Sequence, residues 1–236
     1  MRRYTSLIVI AVLAIGVFVA TALIIERSTV SKRDDAMAVY EAIRDELAKV
    51  VSRAETTLGD LANNPSILRD EPTECGGALS SALATGIEIY DVFLRIRADG
   101  VLDCTPGGAS KAIDFSDRVY FTKAVEERAF VVGEFLVGKV SGEQVLAVAR
   151  PVFGANDDIR FVLVCGLKTD WLQTVIDSQN SDSDLIVEIS DASGVLLSYF
   201  VGEGESDVSA ANRVELIRLP LLPGRFDAEV IVYTPA

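Results

Sequence analysis

The chain has 236 residues, a net charge of −13, three cysteines and not one histidine. Such a surface would repel nucleic-acid phosphates, and the missing imidazole removes the commonest metal ligand, general base and near-neutral pH switch. Three widely spaced cysteines are too few for a zinc cluster, and the length suits one large domain or two small ones.

Met1-Arg2-Arg3 precede an uncharged apolar run from Leu7 to Ile25. As a helix of about 1.5 Å per residue, that run spans roughly 28 Å, close to the thickness of a bilayer core. The competing reading is a cleaved signal peptide with Ala20-Thr21-Ala22 at its cut, but apolar residues continue through Leu23-Ile24-Ile25. A membrane anchor over 1–27 is therefore expected, with Arg2 and Arg3 in the cytoplasm and everything after Glu26 exported; Lys32 and Arg33 weaken the charge asymmetry.

A long stalk helix is expected over 28–64. Ala36, Tyr40, Ile43, Leu47, Val50 and Ala54 alternate spacings of four and three, with charged residues on the other side, until Asn63-Asn64-Pro65 stops the helix. The stripe can pack on its own domain or pair with a second copy as a homodimer; Tyr and Ala make a poor zipper, so packing on the domain is favoured over pairing. A short helix follows at Gly77 to Ala84, then a strand at Tyr90 to Arg97. On that strand Tyr90, Val92, Leu94 and Ile96 face one way, and Asp91, Phe93, Arg95 and Arg97 the other. Asp99-Gly100 is a hairpin turn into Val101 to Thr105.

Residues 114–153 are the most informative stretch. Ser116 is a suitable N-cap for a short helix whose Tyr120, Phe121, Ala124 and Val125 make one apolar face. Strands Phe130 to Val137 and Gln144 to Phe153 flank the turn signal Ser141-Gly142. Arg118 beside Tyr120 offers a cationic fork and an aromatic ring, a grip suited to a small carboxylate. The bland alternative for Arg118 is an ion pair with Asp114 or Asp117, and Arg150, at a strand end, fits a snorkelling structural role.

Ile159 to Leu167 is a further apolar strand, with Cys165 as a small buried hydrophobe, and Thr169 caps a helix carrying Trp171, Leu172, Val175 and Ile176. Five strands with helices make an α+β sheet of PAS type over 65–180. A linker at 178–183 leads to a second, smaller lobe over 181–236, with strands at Leu185 to Ser190, Val195 to Val201, Arg213 to Leu219 and Phe226 to Tyr233. So small a β-rich unit must lean on the first lobe or the stalk.

The motifs DRVYFTKA, VVGEFLVGKVSG and VLAVARPVF, preceded by LANNPSI, CGGAL and DGVLDC and followed by LKTDWLQTVI, together resemble Cache domains. These are extracytoplasmic PAS-like sensor modules of bacterial transmembrane receptors. The resemblance covers residues 30–180 well and the second lobe of a double-Cache only loosely. It implies a small-molecule sensor anchored in the bacterial inner membrane, bulk periplasmic, of histidine kinase, diguanylate cyclase or chemoreceptor type. The output is not written in these residues: the chain reaches Ala236 without a second membrane helix, so a receptor fragment or a stand-alone sensor lobe is expected. Cys75 and Cys104 flank one hairpin of an exported chain and form a reasonable disulfide, which the resemblance supports; two free thiols are the other reading.

By the same resemblance the ligand pocket lies between the sheet and the Arg118, Tyr120, Phe121 segment, with Phe93, Arg95, Phe115, Phe130, Glu134, Arg150 and Lys168 along its walls. The amino-acid-binding members carry a fuller Arg, Trp and Tyr pattern; its absence favours a simple carboxylate over an amine-bearing ligand. No cofactor or metal is expected. Two other classes compete: an exported structural or adhesion module, and an anchored enzyme. With no histidine, an enzyme's Ser or Cys nucleophile would need Lys or Asp as its base, no Gly-x-Ser-x-Gly elbow is present, and Asp157-Asp158 and Glu126-Glu127 fit solvated charges better than a catalytic pair.

Overall fold

The computed structural model describes residues 2–69, 71–179, 185–191, 196–201 and 213–235, with 2–17, 19–29, 179, 191 and 196–201 described as backbone only. One helix, α1 (Arg2–Ala62), runs unbroken through both the expected anchor and the stalk. Among the described residues no helix is long and apolar enough to cross a membrane; the side chains of the apolar run Leu7–Ile25 fall outside them, Phe18 excepted. Further along, the stripe Ala36, Tyr40, Ile43, Leu47, Val50 and Ala54 is buried as its periodicity requires. Asn64 ends α1 and caps the next helix, accepting the Ser66 amide at 2.9 Å at the start of α2 (Pro65–Leu68). The helix expected from Gly77 begins earlier, as α3 (Pro72–Ala84), because Pro72 suits a first helical turn.

The first sheet has the order β3-β2-β1-β6-β5-β4, all neighbours antiparallel. Its strands are β1 (Tyr90–Arg97), β2 (Leu102–Thr105), β3 (Gly108–Ala109), β4 (Val131–Val137), β5 (Gln144–Phe153) and β6 (Ile159–Lys168), with α4 (Val119–Glu127) before β4 and α5 (Trp171–Gln179) after β6. Gly100 adopts φ +87, and a Cβ there would stand 2.7 Å from that of Ser116, so the β1–β2 turn needs glycine twice over. The Cys75 and Cys104 sulfurs are bonded, tying α3 to β2, while Cys165 is free and buried.

Each face of this sheet has its own core. The inner face packs Phe93, Phe135, Leu146, Val148, Leu163 and Cys165 against α1, α3 and α5. The outer face packs Leu94, Ile96, Ala147, Ala149, Val162 and Val164 under Phe115, Tyr120, Phe121 and Ala124. Strict alternation along β1 fails at its start. Tyr90 pairs with Leu167 but Val92 with Gly166, a bulge that returns Tyr90 to the inner face, where its ring meets Phe93 edge-on at 4.9 Å.

The second sheet, order β8-β7-β10-β9, uses β7 (Ile186–Asp191), β8 (Leu196–Val201), β9 (Arg213–Leu222) and β10 (Phe226–Pro235). The expected linker falls mostly outside the described residues. This lobe leans on both candidates at once. Tyr40 of α1 donates its hydroxyl to the Pro220 carbonyl at 2.9 Å, Lys32 donates to Thr234 at 2.8 Å, and Phe226 meets Phe135 of the first lobe at 5.6 Å.

Arg95 is structural, not a pocket wall. It is fully buried on the inner face, forks onto Asp103 at 3.1 and 2.9 Å, donates to the Ile67 and Arg69 carbonyls at 2.7 Å each, and stacks on Phe161 at 4.3 Å. Four of its five donors thereby hold the α2 end against the sheet. Arg95→Ala strands Asp103 and two carbonyls, so a loss of about 3–5 kcal/mol is expected in urea unfolding; a loss under about 1 kcal/mol would return this arginine to the surface.

Candidate functional site

Helix α4 lies across the outer face with its N-terminus at the β4–β5 hairpin. The cap is Arg118, in extended backbone conformation, two residues later than Ser116. Ser116 instead donates its amide to Asp114 at 2.8 Å in a turn that precedes the helix. Residues 118 and 120 therefore straddle a bend in the chain, and their side chains are not bound by helical spacing.

Arg118 is half-buried and makes neither of the expected ion pairs. Asp117 pairs with Lys139 at 2.6 Å, and that hydrogen bond holds its carboxyl below the usual range. The Lys139 ammonium also takes the Asp114 carbonyl at 2.7 Å and lies over the Phe115 ring at 5.4 Å, strapping the hairpin onto the pre-helix turn. Arg118 is left with one long bond, Nη2 to the Val137 carbonyl at 3.4 Å, and a buried Nε with no partner. Guanidinium donors kept from water and unbonded are unusual in a folded chain.

Glu134 of β4 stands beside this arginine. Burial raises its carboxyl above the usual range, while the Val119 amide, Arg118 and Lys123 pull the other way. Its carboxyl thus stands near the positive end of α4, the position an external anion would favour. Tyr120 is buried over Gly133, where a Cβ would stand 2.5 Å from that of Tyr120, and burial pushes its phenol up, so the hydroxyl stays a neutral donor.

The structure brings Arg118, Tyr120, Phe121, Phe115 and Glu134 to one face and separates the other expected residues. Phe93 and Arg95 are inner-face residues, because α4 covers the opposite face of β1, the one that carries Val92, Leu94 and Ile96. Arg150 also points inward: a Cβ on Gly59 of α1 would lie 3.9 Å from its guanidinium carbon. Lys168 donates to the Ile87 carbonyl at 2.6 Å at the strand end. Phe130 packs against the inner core, with Arg225 over its ring at 5.8 Å. Thr169 does not cap α5; Asp170 accepts the Trp171 amide at 3.1 Å, and Thr169 reaches toward Gln144. Asp91 is the outer-face residue that alternation hid, since its bulged position is visible only once β1 is paired with β6.

A cleft of about 370 Å³ opens elsewhere, between the lobes, lined by Lys123, Glu127, Phe130, Val131, Gly224 and Arg225 among others. It flanks the far end of α4. Its Arg225 is spent on Glu55 of α1 at 2.6 Å, which marks the cleft as a lobe seam. A shallower notch of about 290 Å³ lies between α1 and α3, lined by Thr57, Asp60, Ala78 and Ser81. The unbonded buried donor is at Arg118, and that end of α4 is the stronger site.

Because Glu134 holds its proton to higher pH when folded than unfolded, its ionisation costs stability above the folded pKa, and the cost is withdrawn as pH falls through the window between the two values. Glu134→Gln should therefore melt above the wild type at pH 7, with the gap closing as pH approaches about 4. Thermal unfolding across pH checks this; equal melting points at pH 7 would show a carboxylate at ease.

No family model and no curated protein sequence matches the chain. Solved structures do. The ligand-binding domain of the Pseudomonas fluorescens chemoreceptor CtaA, in complex with L-isoleucine, superposes with a TM-score of 0.63 at 13% identity, covering 87% of this chain and 93% of that one. That of the Campylobacter jejuni chemoreceptor Tlp3, with 4-methylisoleucine, gives 0.65 at 11%, covering 89% and 91%. That of the Pseudomonas aeruginosa amino acid chemoreceptor PctC, with GABA, gives 0.60 at 15%, covering 87% and 98%. Two sheets on one long helix, with the outer face of the first covered by α4, are the fold of these chemoreceptor ligand-binding domains, the Cache-type fold that the sequence motifs resemble.

Proposed function

We propose that the chain is the extracytoplasmic sensing region of a bacterial receptor, held in the inner membrane by residues 7–25, and that it binds a small carboxylate at the N-terminus of α4. The observation that carries this reading is Arg118, whose buried Nε has no partner beside a helix end that favours anions. Tyr120 and Phe121 would form the apolar wall. The fold of amino-acid chemoreceptor domains supports a sensor over an adhesion module or an enzyme. A long helix leading into both lobes suits such a role, since any shift between lobe and helix is carried along its axis.

A thermal-shift screen against organic acids and amino acids tests the reading. A ligand at 100 times its Kd should add about 2.7 kcal/mol of stability, and a structural module would show none. With the ligand found, Arg118→Ala should weaken binding by about 1.5–3 kcal/mol without lowering the melting point of the free protein, and Arg118→Lys should lose affinity too, because a point charge cannot reproduce the fork. Unchanged affinity would assign Arg118 to structure. For the anchor, sequencing the N-terminus of the membrane fraction should find it upstream of Leu7, and a new start near Leu23 would mean cleavage.

A further inference from the structure

The cleft of about 370 Å³ between the lobes has two walls whose charges match. On the first-lobe side, α4 presents Lys123 and Glu127, one turn apart. On the second-lobe side, the β9–β10 turn presents Arg225, and the start of β10 presents Asp227. Each wall holds one cation and one carboxylate, so two ion pairs can form across the gap. Neither has formed. Among the described residues the side chains of Lys123, Glu127 and Asp227 make no hydrogen bond or ion pair, and Lys123 acts on Glu134 only through its field.

Arg225 is the one member already in use, and its partner belongs to neither wall. It donates to Glu55 of α1 at 2.6 Å and lies over the ring of Phe130, three residues beyond Glu127. With side chains 49% and 36% exposed, Arg225 and Glu55 form a weak pair, so Glu55 does not hold the arginine outright. The turn that carries Arg225 stands clear of its neighbours: Gly224 has φ +76, and a Cβ there would meet nothing within 4 Å. Phe226 fixes the turn's other side, packed on Phe135 at 5.6 Å. Movement is thereby confined to the segment that bears the guanidinium.

We propose that Arg225 is a two-position switch, held by Glu55 of α1 while the cleft is open and by Glu127 of α4 when it closes, with Lys123 and Asp227 pairing in the closed form. Closure ties the second lobe to α4 and releases it from this point on α1; opening does the reverse. Closing exchanges one exposed pair for two, and the ordering of long side chains offsets that gain, so the two forms lie close in free energy. The rival is a Lys123–Glu127 pair within α4, but lysine ahead of glutamate is the weaker order on a helix. The switch needs no ligand. Its use in signalling rests on the sensor reading: α4 has Arg118 as its cap and Glu127 at its last turn, so a ligand that shifts this helix biases the exchange.

Zero-length carbodiimide cross-linking of the ligand-free 236-residue chain in detergent decides it, with peptide mapping to locate the new amide bonds. The wild type should yield a Lys123–Asp227 link. Glu55→Gln, which frees Arg225 for Glu127, should raise that yield about threefold, and Glu127→Gln should lower it by about as much. A link from Lys123 to Glu127 alone, or no link from Lys123 to Asp227 in either the wild type or Glu55→Gln, overturns the switch. So does a yield that both substitutions leave unchanged or move in the same direction. With no ligand present, failure here leaves the Arg118 grip standing, and failure of the ligand screen leaves the switch standing.

Discussion

Both sheets bury their inner faces on a single stripe of α1. Ala36, Val39 and Tyr40 meet the second lobe's side of the core, and Val50, Ala54 and Leu58 the first lobe's, in one continuous cluster that includes Phe135 and Phe226. Fully burying a residue such as Ile43 or Leu47 contributes about 1.5–3 kcal/mol. A lobe of four strands, too small for an independent core, becomes stable only by sharing that stripe. A second copy of the chain could not use the same stripe, so any pairing of stalks must run through the charged face of α1.

That sharing decides where chemistry can occur. Charged groups on the inner face must be neutralised by the fold itself, and Arg95 is, with Asp103 and two carbonyls taking four of its five donors. The outer face is covered only by α4 and the turn before it, held by Lys139 at one end and by Arg128 on Asp157 at the other. Polar atoms there are left unsatisfied without endangering the core, and two of the three unpartnered buried atoms among the described residues, on Asp91 and Arg118, lie on that side.

Much of the architecture was legible in the residues. The α1 stripe, the turns at Gly100 and Gly142 and every larger strand follow from periodicity and turn chemistry. The site was only half legible. Arg118, Tyr120 and Glu134 come from adjacent elements, so local pattern brings them together. The resemblance places Phe93 and Arg95 in the pocket, but they share the face of β1 opposite Leu94 and Ile96, and α4 covers the latter face. One bulged residue moves Tyr90 to the inner face and Asp91 to the outer. A bulge depends on the register with β6, a long-range pairing that carries no signal in the β1 residues themselves.

The same bulge explains why a carboxylate can sit where it does. In regular register, position 91 would face α1 among Phe93, Leu163 and Cys165, where an unpaired charge in an apolar core would be prohibitively costly. Displaced by one residue, it lies over Gly166, on a face whose cover is a single nine-residue helix. The irregularity in the ladder thus relieves the core of a charge and delivers that charge to the surface where Arg118 is also unsatisfied. Deleting Asp91 would restore alternation to β1 with Tyr90 still opposite Leu167, so the strand's defect and the presence of this carboxylate on the outer face have one cause.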